Sequence, residues 1–420
     1  MFKKLLRRPQ SIQTIYLYLV LGNTLATSFI WGINTIFLLD AGLSNFEAFL
    51  ANAFFTLGFV IFEVPTGIIA DTLGRRVSYL LGCLTLAVST ALYLLMWQIH
   101  GPFWGWAMSS LLLGLGYTFF SGALEAWLVD ALHATNFKKS LDGVFAKGQI
   151  VGGVAMLTGS ILGGVIAQFT SLGIPYVLRS VVLLINFATA FLLMKDLGFS
   201  PRKSTHYLKE MKNILKASIN NGFKNPPVKW LMISSIFVTG ISFYIFYALQ
   251  PFLLKLYGDE KAYTIAGLIA ALTAVSNIAG GFLVPYIKRL FGKRTSALIV
   301  GGLFTAVILL LVSLTSNFWI ALVLIFLWGL LFAGLSPIRQ AYINGIIPSS
   351  QRATVLSFDS LVGSTGGVFI QPALGKIADI YSYSASYMIA GIIQMGSLPF
   401  IYLARKQKAK SDTLEKEGKK

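Results

Sequence analysis

A chain of 420 residues with 55% hydrophobic and only 12% charged residues, and a mean hydropathy of +0.72, cannot dress a water-facing surface, because soluble domains carry about 25% charge. Most of its surface must face lipid. The net charge of +18 would suit a nucleic-acid binder, but the charges fall into loops of one side, which excludes that reading.

Apolar runs of about 20 residues or more recur along the whole length, each long enough to cross about 30 Å of hydrocarbon as a helix. A β-barrel would show alternating segments of about ten residues instead. The chain opens on Lys3, Lys4, Arg7 and Arg8. The apolar run behind them is too long for a signal-peptide core and lacks a small-residue cleavage site, so it is read as an uncleaved first span. In chain order the predicted spans are 12–39, 45–69, 77–97, 103–132, 143–168, 174–194, 229–256, 263–287, 296–315, 318–346, 354–378 and 384–403. Alternation of sides then gathers Arg75, Arg76, Lys138, Lys139, the lysines of 195–229, Lys288, Arg289, Lys293, Arg294, Arg352 and the basic residues from Arg405 onward with the N-terminus. Only Arg179, Lys255, Lys261 and Lys376 fall on the far side or in the far half of the membrane. This asymmetry predicts a multi-pass protein of a bacterial-type inner membrane with both termini cytoplasmic. Its basic loops would lie against anionic lipid headgroups.

The charged stretch 195–228 contains Pro226-Pro227 and divides the chain into an N-terminal six-helix half, 1–194, and a C-terminal six-helix half, 229–404, with a cytoplasmic tail at 405–420. Within that central loop, Leu208, Met211, Leu215 and Ile219 suit an amphipathic helix at the membrane face, and a solvated linker fits equally well. Gly74-Arg75-Arg76-Val77-Ser78 after span two is echoed by Gly292-Lys293-Arg294-Thr295-Ser296 after span eight, which points to a duplicated fold. Cys83 is the single cysteine, and His100, His133 and His206 are scattered, so disulfides and metal spacings are not expected. There is no phosphate-binding loop. No cofactor and no catalytic residue is expected.

Between spans two and three, Gly67-Ile68-Ile69-Ala70-Asp71-Thr72-Leu73-Gly74-Arg75-Arg76 resembles the GxxxDxxGRR signature of the major facilitator superfamily, in the loop where that superfamily carries it. The resemblance implies an all-α fold of twelve membrane helices in two pseudo-symmetric halves. It also implies that Gly67, Asp71, Gly74, Arg75 and Arg76, with Asp359 at the start of span eleven as the acid partner, fasten the cytoplasmic side. A glycine at 67 would let another helix approach closely. The rival reading is that the motif only shapes a tight turn. Arg289 stands where the repeat would place a second acid, so the latch is not expected to be duplicated. In span five, Gly159-Ser160-Ile161-Leu162-Gly163-Gly164 resembles a degenerate form of the GPxxGG element of drug/proton antiporters, and packing glycines are the alternative. Pro337, Asn344, Ile347-Pro348 and Arg352-Ala353-Thr354 resemble the span ten–eleven junction of bacterial exporters.

Acids inside a membrane are costly and mark functional positions. Glu125 and Asp130 in span four are the candidate proton-coupling residues, Glu125 the deeper, with structural pairing to Lys147 or to Arg75 and Arg76 as the alternative. Span four lacks the arginine that antiporters of the superfamily often carry there. By resemblance, spans one, four, seven and ten would line a substrate cavity. The candidates are Asn23, Thr27 and Asn34 on span one, Tyr117 and Ser121 on span four, Thr239, Phe243, Tyr247 and Gln250 on span seven, and Trp328 on span ten. Aromatic walls with a few amides suit an amphipathic organic solute. The expectation is a monomeric, proton-coupled secondary transporter exporting a small organic molecule. An ion-coupled uptake symporter for a sugar, anion or other nutrient is the first alternative, and a non-transporting receptor or scaffold the second.

Overall fold

The computed structural model describes residues 8–201, 216, 219–348 and 352–414. The expected amphipathic helix of the central loop falls almost wholly outside them. The described residues form helices, with one isolated bridge between Lys293 and Thr413. In hydrocarbon every backbone N–H and C=O must be satisfied within the chain, and helices achieve this segment by segment.

Eleven helices among the described residues are long and apolar enough to cross a membrane. Arg352–Ile380 is a twelfth of 29 residues, long enough at about 1.5 Å per residue, but it carries Arg352, Asp359, Lys376 and Asp379. Large apolar side chains lie exposed along the helices, among them Phe169, Leu290, Phe282 and Trp104. Such a surface is unsuited to water and matched to lipid. The protein is a multi-pass integral membrane protein.

Three spans are discontinuous. Span one runs Pro9–Trp31 and resumes as Asn34–Asp40, span four runs Phe103–Phe120 and resumes as Ala123–Ala134, and span twelve runs Tyr383–Met395 and resumes as Leu398–Lys406. The break in span four turns on Gly122, whose φ of 66° lies in the left-handed region that glycine adopts without a Cβ penalty.

The chain divides into two compact units. Unit 1 holds Met1–Gly42, Phe54–Leu208 and Lys261–Ala271, and unit 2 holds Leu43–Ala53, Lys209–Glu260 and Leu272–Lys420. Each sequence half thus contributes the first third of one long helix to the other unit. In unit 1 the glycines of span five pack tightly: a Cβ on Gly163 would lie 2.0 Å from the Phe29 carbonyl, and one on Gly164 2.4 Å from that of Tyr263. In unit 2 the Asp379 carboxylate accepts the backbone N–H groups of Asn45 and Phe46 at 2.9 and 2.8 Å. These donors open the helix Asn45–Leu73 and have no partner within it. The core of unit 2 gathers Leu231, Met232, Leu298, Ile338, Tyr342, Ile343 and Ile401.

Residues 410–414 fold back onto the helix that starts at Arg294. Asp412 accepts the Thr295 backbone N–H and hydroxyl, both at 2.8 Å, and Leu414 N–H donates to Gly292. Residues 410–414 are therefore part of unit 2 rather than a free tail.

Candidate functional site

Three polar clusters stand out, two in unit 1 and one in unit 2. The first is the loop between spans two and three. Gly74 has φ 112°, and a Cβ there would lie 2.5 Å from an Asp196 carboxylate oxygen. Only glycine meets both demands. Asp71 and Arg75 form an ion pair at 2.5 Å. Arg76 donates its backbone N–H to Asp196 at 3.0 Å and its guanidinium to the Phe191 carbonyl at 2.6 Å. Burial is the larger influence on Asp196 and raises its pKa; the Arg76 N–H and the charges of Arg76 and Arg75 oppose the shift, and Asp130 adds to it. The acid that holds Arg76 is Asp196, which follows span six, while half-buried Asp130 acts on it only through space. Among the described residues, a Cβ on Gly67 would meet nothing within 4 Å.

The second cluster surrounds the break in span four. Ser121, beside the left-handed Gly122, donates its hydroxyl to Glu63 of span two at 2.7 Å. The other carboxylate oxygen of Glu63 is buried and has no hydrogen-bond partner. Glu125, expected to be deep, is exposed. The cause is the break, which places it in the first turn of a new helix. One turn before Ser121 on the same helix face, Tyr117 donates to Thr27 at 3.0 Å and accepts from both terminal nitrogens of Arg179 at 3.3 Å. Arg179, assigned by charge placement to the far half of the membrane, is 1% exposed. It also donates to Thr90 at 3.1 Å and to the Ala26 carbonyl at 3.2 Å. Asn23 and Thr27 are half-buried on the same helix, and the Asn23 side-chain oxygen is buried without a partner. Asn34 lies beyond the span-one break, where Tyr176 donates to it at 3.2 Å.

The third cluster is in unit 2. Asp359, expected opposite Arg75, is paired with Arg339 of span ten through two contacts of 2.6 Å. Arg339 also donates to the Leu231 carbonyl at 3.1 Å. This planar, two-pronged geometry is the strong form of an arginine–carboxylate pair, and the sequence reading missed Arg339. The guanidinium lines a cavity of about 120 Å³ together with Ser234, Ser235, Thr239, Ser336 and Gln394. Of the other residues expected to face solute, Gln250 and Trp328 are buried, at 4% and 6% exposure. The Trp328 ring stacks on Phe332. Phe243 packs at Gly367, and Tyr247 meets Phe246 edge-on at 4.9 Å. Thr239 is thus the one span-seven candidate in the cavity wall. No group of three or more metal-ligating side chains occurs among the described residues.

The family model of the Major Facilitator Superfamily matches residues 17–296 and 264–420. An uncharacterised MFS-type transporter of Methanocaldococcus jannaschii is 21% identical over 381 residues, covering 88% of this chain and 93% of that one. The uncharacterised MFS-type transporter YxaM of Bacillus subtilis is 23% identical over 404 residues, covering 90% and 92%. Among solved structures, a point mutant of the nucleoside transporter NupG superposes with a TM-score of 0.77 at 12% identity, over 93% of this chain and 99% of that one. At that identity the likeness concerns the fold alone.

Proposed function

We propose, for a chain that belongs to the major facilitator superfamily and is a membrane transporter, that it is a secondary carrier. It moves a small organic solute across a bacterial-type inner membrane by alternating access, and proton entry drives export. The observation that supports coupling is Glu63. One of its oxygens takes the Ser121 hydroxyl at the break in span four, and the other is buried without a partner. An intramembrane carboxylate without full compensation is costly, and protonation relieves that cost. Glu125 lies exposed in the first turn of the next helix. A half-buried acid and an exposed one across a broken helix make a proton route, with Asp130 further along the same helix. Broken helices are where carriers of this kind place ion and substrate sites. Export is supported by the resemblance of the span-five glycines and the span ten–eleven junction to exporters. The Asp71–Arg75 loop is assigned the cytoplasmic gate.

The test is transport in everted and right-side-out membrane vesicles under an imposed proton gradient, with a panel of organic solutes. Gradient-driven accumulation in everted vesicles is expected. Glu63→Gln and Glu125→Gln should each abolish it while leaving solute counterflow. Accumulation in right-side-out vesicles alone would reverse the direction. Unchanged accumulation and pH dependence in both variants would remove these acids from the route.

A further inference from the structure

Arg179 has no role in the route just described, and its environment is unusual. It is 1% exposed, yet all of its described hydrogen bonds go to neutral groups: the Thr90 hydroxyl, the Ala26 carbonyl and the Tyr117 hydroxyl. Most acids of the same unit are engaged elsewhere or exposed. Asp40 accepts from Trp97, Glu63 from Ser121, Asp142 from Ser140 and Asp196 from Arg76, Asp71 pairs with Arg75, and Glu125 is exposed. Half-buried Asp130 is near enough to Asp196 to act on its charge, and it is not among the described hydrogen-bond partners of Arg179. An arginine cannot shed its proton in a protein. A fixed cation is therefore held in a low-dielectric interior without a carboxylate among its described partners. Retaining one there is costly unless something compensates it.

The arrangement points outward from Arg179 through one side chain. Tyr117 is half-buried, accepts from both terminal guanidinium nitrogens, and donates its own hydroxyl proton to Thr27, which is also half-buried. A hydroxyl that accepts from a guanidinium becomes a stronger donor, because hydrogen bonds in a chain polarise one another. Thr27 in turn donates to the Asn23 carbonyl. Both hydroxyl protons are used within the chain, so what the half-exposed surface of Tyr117 and Thr27 presents is the field of the buried positive charge, relayed by O–H dipoles whose positive ends point away from Arg179.

We propose that Arg179 is a specificity-determining residue that makes the Tyr117–Thr27 surface a binding place for the anionic group of the transported solute, a carboxylate or phosphate on an amphipathic organic molecule. Arg179 acts through Tyr117 and through its field, without touching the solute. The proposal rests on the transporter reading and names its substrate class, and it is independent of the direction of transport.

The experiment measures the potential at the surface without knowing the solute. In a full-length Cys83→Ala background, Thr27→Cys is labelled in membranes with the anionic thiol reagent MTSES and the cationic MTSET. Each rate is divided by that reagent's rate with free 2-mercaptoethanol. The anionic reagent should be favoured, and adding Arg179→Gln should lower that preference by about tenfold, the scale of one charge acting through a weakly screened medium. Arg179→Lys should retain most of it, which separates charge from shape should the glutamine variant fold poorly. A preference for MTSET, a ratio unmoved by Arg179→Gln, or a Thr27→Cys that neither reagent reaches would each overturn the proposal. Vesicle transport of neutral solutes with a normal proton dependence would leave the carrier standing while sinking the anion assignment.

Discussion

The loop after span two and the loop after span eight carry related residues and close in the same way with different parts. In the first, Asp196 accepts the backbone N–H of Arg76, whose guanidinium binds the Phe191 carbonyl. In the second, Asp412 accepts the backbone N–H of Thr295, and Arg294 binds the Ser411 and Thr413 carbonyls. Each acid follows the last span of its own half and reaches the first turn of that half's third span, where backbone donors lack helical partners. The clasp is duplicated, whereas the ion pairs beside it are not. Asp71 pairs with Arg75 in one half, and its repeat position holds Arg289. In the other half the pair is Arg339 with Asp359, on different spans and more deeply placed. Duplicated contacts build the fold, and the unpaired differences are where the two halves can do different work.

The largest expected effect separates the two ion pairs. Arg339→Gln would leave Asp359, 7% exposed, without its partner, and breaking a buried pair costs about 3–5 kcal/mol. Asp71→Asn breaks a half-exposed pair that straddles the Gly74 turn between two helices, worth about 0.2–1 kcal/mol. Thermal unfolding of the purified protein should show a large drop for the first and almost none for the second. Equal drops would mean that the pairs are not different in kind.

The clasps come next. Asp412 is 3% exposed and satisfies two donors, so Asp412→Ala should destabilise by about 1–3 kcal/mol, the cost of stranding buried polar groups. Asp196→Ala should cost less, because Asp196 is half-buried and water can replace it. The reverse order in melting temperature would show that the N-terminal clasp carries the fold. Transport sharpens the comparison further. Asp71→Asn should slow vesicle transport about 5-fold or more, within the usual range of coupling between conformational states, while Arg289→Gln at the repeat position leaves it unchanged. Equal effects would mean that the gate is symmetric.

The membrane spans and the signature loop were legible because each is local: an apolar run, or ten consecutive residues. The polar clusters were not. Arg179 was counted as a far-side charge because its burial depends on Ala26, Thr90 and Tyr117, between 62 and 153 residues away. Asp412 sits in a basic stretch that reads as a solvated tail, and nothing local announces that it caps a helix starting at Arg294. The break at Gly122 is one glycine among 40, and spacing alone cannot separate it from those that pack helices, such as Gly163. That break leaves Glu125 exposed in the first turn of a new helix and sets Ser121 against half-buried Glu63.

The smallest expected effect tests the N-terminal clasp through pH. Burial, the leading cause, raises the Asp196 pKa above its ordinary value of 3.8, and the Arg76 N–H and nearby arginines only partly offset it. The folded protein therefore binds a proton at Asp196 over a pH range just above 3.8 where the unfolded chain has released it. Stability falls with rising pH wherever the folded state holds more protons. Asp196 should thus contribute a modest loss of melting temperature as pH rises through its folded pKa, and no contribution below the unfolded value. Asp196→Asn keeps an acceptor for the Arg76 N–H but cannot titrate, so the difference between variant and native melting curves should change across that window and stay flat above it. A difference curve for Asp196→Asn that is flat throughout would mean that the Arg76 N–H and the arginines cancel the effect of burial, and a change of the opposite sign would mean that they outweigh it.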